Sequence, residues 1–169
     1  MHFNDGFREL ARHECLELMA RVSVGRVVYT RQALPAVLPV NFRLDGDSAV
    51  LLRTAAASEL ARAVDGAVVA FETDDVDVAR HSGWSVVVTG PAMVVTDSAE
   101  HDRLARTGPL SWVPARREVF VRIEPELITG RELVGGHTLY GVDLTACTSR
   151  PRFFAPPYVR SRTPGRCPQ

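Results

Sequence analysis

"AVLPVNFRLDGDSAVLLRT", residues 36–54, decides the fold. From Ala36 to Leu44 the chain is apolar and extended in character, with Pro39 tolerable only on a strand edge or at a bulge. Asp45-Gly46-Asp47 is a strong hairpin turn, because Gly accepts the positive φ that such turns need. "SAVLLRT" (48–54) then returns as a second strand. Two strands joined by so tight a turn must be antiparallel neighbours, which a βαβ crossover is not.

Working outward, the same grammar repeats. "SVGRVVYT" (23–30) and "GAVVAFETD" (66–74) read as β-rich strands. "WSVVVTGPAMVVT" (84–96) reads as a long strand broken at Gly90-Pro91, and "REVFVRIEPELITGREL" (117–133) closes the series. Phe7 to Val22 has helical spacing, with Leu10, Cys15, Leu18, Met19 and Val22 near one face. Ser58–Val64 and Ser98–Arg106 read as short helices capped by Ser58 and Ser98, with His101 in the first turn of the second. Six strands in hairpin order with only short helices between them predict a mainly β fold, a six-stranded antiparallel barrel. No GxGxxG follows a strand and no GxSxG elbow is present, so Rossmann and hydrolase sites are not expected.

Composition bounds the rest. The 169 residues are 46% hydrophobic and 24% charged, which fits a globular domain with a real core. No apolar stretch reaches the roughly 18 residues of a membrane span, and the N-terminus lacks signal-peptide regions, so a cytoplasmic location is the expectation. All 20 basic residues are arginine, which excludes lysine chemistry such as a Schiff base or a P-loop. The three cysteines (15, 147, 167) and five histidines show no metal-ligand spacing. Residues 150–169 hold five arginines, five prolines and no acid, leaving residues 1–149 at −5, with no electrostatic footprint for nucleic acid. We therefore expect one domain over 1–146 and a disordered tail over 147–169.

Within "LLRTAAASEL" (51–60) a cation, two hydroxyls and a helix start fall in six residues: Arg53, Thr54 and Ser58. These are the parts of an anion cradle, but Glu59 brings the opposite charge to it. Taken alone, Arg53 is a solvated cation or the partner of Glu59, and Ser58 is an N-cap. Trp84 and Phe42 read as core or interface residues, and Ser85 as solvent-facing. Asn41 is the odd residue, since an amide within an apolar strand needs partners.

Read together, "VGRVVYT", "LPAVLPVNFRLDGD", "LLRTAAASEL", "VAFETDD", "GWSVVVTG" and "ITGRE" resemble the pyridoxamine 5′-phosphate oxidase-like flavoproteins of the split β-barrel class. The match is to their small flavin-nucleotide-binding branch and covers roughly residues 10–133. The resemblance implies a homodimer with two flavin sites at the subunit interface, carrying FMN or the deazaflavin F420. It implies that the phosphate is held by Arg53-Thr54 and by a Gly-Ser-Lys turn, which here reads Ala57-Ser58-Glu59. The isoalloxazine is expected against Pro39-Val40-Asn41-Phe42, with Asn41 bonding its polar edge. Trp84 and Ser85 are expected to come from the partner subunit. The implied function is a flavin- or deazaflavin-dependent oxidoreductase acting on a small molecule, with no catalytic acid or base identified. The alternative is a non-catalytic barrel dimer that has weakened or lost its flavin and acts as a binding or sensing module. Oxidation of pyridoxamine phosphate itself is disfavoured, because the tail matches no substrate segment.

Overall fold

The structure is a computed structural model, and it describes residues 3–4, 7–46, 48–110, 118–133, 138–139 and 142–143. In chain order the elements are β1 (Phe3–Asn4), β2 (Phe7–Glu9), α1 (Arg12–Met19), β3 (Val24–Arg31), β4 (Leu34–Asp45), β5 (Ala49–Ala55) and α2 (Glu59–Val64). There follow β6 (Val68–Asp77), β7 (Ser82–Val94), α3 (Ser98–Thr107), β8 (Glu118–Ile123) and β9 (Leu127–Leu133). Residues 1–136 make one compact unit. Among the described residues the second unit, 137–169, contains the antiparallel pair β10 (Thr138–Leu139) and β11 (Val142–Asp143); the expected tail, 147–169, lies outside the described residues.

Nine strands form one sheet in the order β1-β2-β9-β7-β6-β3-β4-β5-β8, and β8 also pairs with β7. That last pairing closes six strands, β3 to β8, into an antiparallel barrel, and β9, β2 and β1 extend it from β7. Two long strands make the barrel split. β4 pairs with β3 through residues 34–41 and then with β5 through 42–45. β7 pairs with β9 through 83–89 and then with β8 through 92–94. Pro39 thus falls in the half of β4 that pairs on one side only, where a missing N–H costs no ladder bond.

Three expectations are corrected. Phe7–Glu9 is a strand, because the free edge of β9 offers it backbone partners from Arg131 to Leu133; the helix begins only at Arg12. β7 runs unbroken through Gly90-Pro91, while the stretch 117–133 is the one that divides, at Glu124-Pro125-Glu126. Gly90 explains this. A Cβ there would collide with the carbonyl oxygen of Glu124, so the corner between β8 and β9 folds directly over the glycine. The amides of Glu124 and Glu126 then bond the carbonyls of Pro91 and Thr89, each at 3.0 Å. Last, Asp97 rather than Ser98 caps α3, its carboxylate accepting the Glu100 amide at 2.7 Å.

The barrel interior is filled by Val27, Phe42, Leu52, Phe71, Val88 and Ile123, joined by Cys15 and Met19 from α1 and by Leu60 and Val64 from α2. A smaller cluster of Leu51, Leu104 and Phe120 lies on the opposite face of β5 and β8, under α3. Side chains alternate between these faces along each strand. That alternation decides which candidate residues can meet a ligand.

Candidate functional site

Arg53 follows the buried run Ala49–Leu52 at the end of β5, on the outer face of the barrel. Its register partner on β8 is Phe120, and the guanidinium carbon lies 5.3 Å from the centre of that ring. Glu118, two residues away on the same face, pairs with the Arg53 Nη2. The Nε is different: it is buried, and no acceptor reaches it among the described residues. A buried N–H left without a partner costs about 1–3 kcal/mol, so this nitrogen marks a place for an acceptor.

The turn beside it is already organised. Thr54 Oγ1 donates to Ser58 Oγ at 3.1 Å, and Ser58 Oγ accepts the Ala61 amide at 3.1 Å, which makes Ser58 the N-cap of α2. The charge pairing differs from the expected one. Arg53 does not reach for Glu59, because its strand face turns it toward β8. Glu59 instead pairs with Arg31, the last residue of β3, and both side chains are about half exposed (47% and 53%).

β4 presents its candidates to both faces. Phe42 is 5% exposed and tilts against Phe71 inside the barrel, their ring centres 4.8 Å apart. Val40 packs at the margin of that same core. Pro39 and Asn41 face outward, on the side of Arg53, so a planar ligand can rest on these two and not on all four residues. Asn41 is half-buried, and its Nδ2 donates to the Leu110 carbonyl, so the segment after α3 supplies the partner that its sequence position demanded.

Trp84 and Ser85 stand apart. On β7 they pair with Asp75 and Asp74 of β6 and with Glu132 and Arg131 of β9. Trp84 packs toward the core, and Ser85 lines an open groove of ≈ 570 Å³ with Phe7, Thr129 and Arg131. From β7 to β4 is three strand spacings, about 14 Å across the sheet. Within one chain, Arg53, Thr54, Ser58 and Glu59 share one strand-to-helix turn, Pro39 and Asn41 lie on the Arg53 face of β4, Val40 and Phe42 turn to the core, and Trp84 and Ser85 lie outside that group.

α3 forms the backing of the Arg53 floor. His101 meets Phe120 edge-on at 5.3 Å, and its Nε2 lies 3.4 Å from the Glu118 carbonyl oxygen. The helix is fastened by an ionic network. Arg103 grips both carboxylate oxygens of Asp45 (2.9 and 2.6 Å) and reaches Glu100, while Arg122 contacts Asp45 at 2.5 Å and Glu100 at 2.6 Å. Hydrogen bonds from Arg103 and then Arg122 hold the Asp45 and Glu100 carboxyls down at about 2.

Sequence reasoning missed Glu118, Arg31, His101 and Leu110 as neighbours of the site. Only the β5–β8 register, which sets Arg53 opposite Phe120, brings Glu118 to it. Among the described residues no cluster of His, Cys, Asp and Glu could hold a metal ion, and no helix is long and apolar enough to cross a membrane.

Comparison with known proteins adds to this geometry. The family model described as pyridoxamine 5′-phosphate oxidase matches residues 11–132. An uncharacterized protein of Mycobacterium tuberculosis is 45% identical over 134 residues, covering 75% of this chain and 85% of its own. Among solved structures, the FAD binding protein from Mycobacterium smegmatis is similar at 36% identity and a TM-score of 0.68, over 76% of this chain and all (100%) of that one. A conserved protein of unknown function from Corynebacterium diphtheriae is similar at 34% identity and a TM-score of 0.66, over 77% of this chain and 100% of its own.

Proposed function

Because the chain belongs to the pyridoxamine 5′-phosphate oxidase family, we propose that it binds a flavin nucleotide through the phosphate next to the ribityl chain, at the turn from Arg53 to Ser58, and serves as a flavin-dependent oxidoreductase. The observation that carries this reading is the buried Arg53 Nε, which has no acceptor among the described residues and adjoins in sequence the strand end and turn where the Thr54 and Ser58 hydroxyls meet. A phosphate oxygen satisfies such a donor, and a charge-assisted bond of this kind is about twice as strong as a neutral one. The M. smegmatis relative binds FAD, which widens the choice of nucleotide from FMN to FAD; both carry the phosphate in question.

In this reading the bound flavin supplies the two-electron redox chemistry, and the chain supplies grip and orientation. Arg53, Thr54 and Ser58 hold the phosphate, and Pro39 with Asn41 borders the ring. Trp84 and Ser85 would come from a second copy. Support for that dimer is the outer face of β3, β4 and β6, where Val24, Val37, Val68 and Val76 are 41%, 58%, 66% and 58% exposed around the Arg26–Glu72–Asp74 ion pairs, a mixed apolar and charged face of the kind that a second copy can cover.

One observation favours the second reading, a barrel with weakened flavin binding: Glu59, paired with Arg31, places a carboxylate in the turn where the family resemblance implies a lysine. An absorbance spectrum of the purified protein, taken before and after adding FMN, FAD and F420, separates the two. The first reading expects a perturbed absorbance spectrum of the added flavin or deazaflavin, with about one site per chain. No spectral change with any of the three would leave only the second.

A further inference from the structure

The Arg31–Glu59 pair is more than a surface contact. Arg31 ends β3, and the turn that follows holds Gln32 and Ala33 at φ +48° and +64°, so the chain reverses at once and Arg31 pairs with Leu34 in register. That tight reversal fixes the base of the Arg31 side chain at the rim of the barrel, next to α2. Its guanidinium Nε is bound to Glu59, the neighbour of Ser58, and Ser58 is bound to Thr54. Arg31 of β3, Arg53 and Thr54 of β5 and the α2 cap Ser58 therefore border one short turn, although β3 and β5 do not pair with each other.

The chain has no lysine to place at position 59. The cation at this turn comes from β3 instead, and a carboxylate occupies it. We propose that Arg31 is the second phosphate-binding cation of the site, and that Glu59 is a resident stand-in that the phosphate displaces. This rests on the flavin-nucleotide reading above. The physical argument is one of exchange. A half-exposed ion pair is weak and opens readily, whereas the phosphate monoester of FMN carries more charge than a carboxylate and three acceptor oxygens. When the phosphate arrives, Arg31 changes partner, and Glu59, half exposed, turns into solvent. The device lowers affinity for any flavin nucleotide and leaves a phosphate-free flavin unaffected.

The test is a double-mutant cycle on the full chain, titrating FMN, FAD and riboflavin into the parent, Arg31→Ala, Glu59→Gln and the double variant, with flavin fluorescence as the readout. We expect Arg31→Ala to weaken FMN about 10-fold and Glu59→Gln to tighten it about 3- to 10-fold, as charge-assisted contacts allow. The gain from Glu59→Gln should vanish once Arg31 is gone. Riboflavin affinity should stay constant throughout, which also reports that each variant is folded. Two results would overturn this inference alone: FMN binding unchanged or tighter in Arg31→Ala, or the same Glu59→Gln gain with and without Arg31. If neither FMN nor FAD binds any of the four proteins, the flavin reading falls and takes this inference with it. Equal binding of FMN and riboflavin by the parent would remove the phosphate from this turn, and the exchange with it.

Discussion

Arg53 divides its guanidinium between a carboxylate and an aromatic face. Glu118 takes Nη2, Phe120 lies beneath the plane, and Nε has no acceptor among the described residues. Arg53→Ala should weaken FMN by about 10- to 100-fold, by loss of a charge-assisted contact, and leave riboflavin unchanged. Glu59→Lys should act in the other direction, tightening FMN by one to two orders of magnitude (about 10- to 100-fold), with a gain that shrinks as salt rises because position 59 is half exposed. Titration of both variants with both flavins checks the pair of predictions, and a matching response from riboflavin would contradict them. Ser58 and Arg53 were legible in the sequence because a cap and a strand end are local features. Arg31 and Glu118 were not, since a long-range charge pair exists only after strand register and barrel closure bring its two ends together.

Among the elements, the β4–β5 hairpin was readable because its turn chemistry and its alternation agree. The Glu124–Glu126 corner was hidden, as nothing in "RIEPELITG" shows that the chain crosses over Gly90. Strand β2 was hidden too, because Phe7–Glu9 is extended only by virtue of the β9 edge beside it. Two substitutions test these elements. Gly90→Ala should destabilise the barrel by about 2–3 kcal/mol or more, read from urea unfolding, because backbone rather than a flexible side chain blocks the new methyl. Ala33→Gly should stabilise it by about 0.5–1 kcal/mol, raising Tm by about 1–4 °C, since glycine relieves the left-handed backbone of the β3–β4 turn. An unchanged or lower Tm for Ala33→Gly would mean that the turn carries no strain.

For the molecule as a whole, two carboxylates on the α3 side contribute to the loss of stability in acid. The Asp45 and Glu100 carboxyls lie at about 2, below their ordinary 3.8 and 4.5, because Arg103 and Arg122 bind the ionised forms. Their contribution to stability is therefore full above about pH 4.5 and is lost as the pH falls toward 2. Thermal unfolding of Asp45→Asn should show a flatter decline across that window than the parent, while an identical decline would assign acid sensitivity to other carboxylates. Light scattering should return twice the mass of one chain, and a strict monomer at micromolar concentration would leave Trp84 and Ser85 without a route to the Arg53 turn. The most direct measurement is an equilibrium titration of the unmodified protein with FMN and with riboflavin, which share the ring and differ by the phosphate. The account predicts FMN binding tighter than riboflavin by about 10-fold or more, from the phosphate contacts of Arg53 and its turn. Equal affinities, or binding of neither, would contradict it.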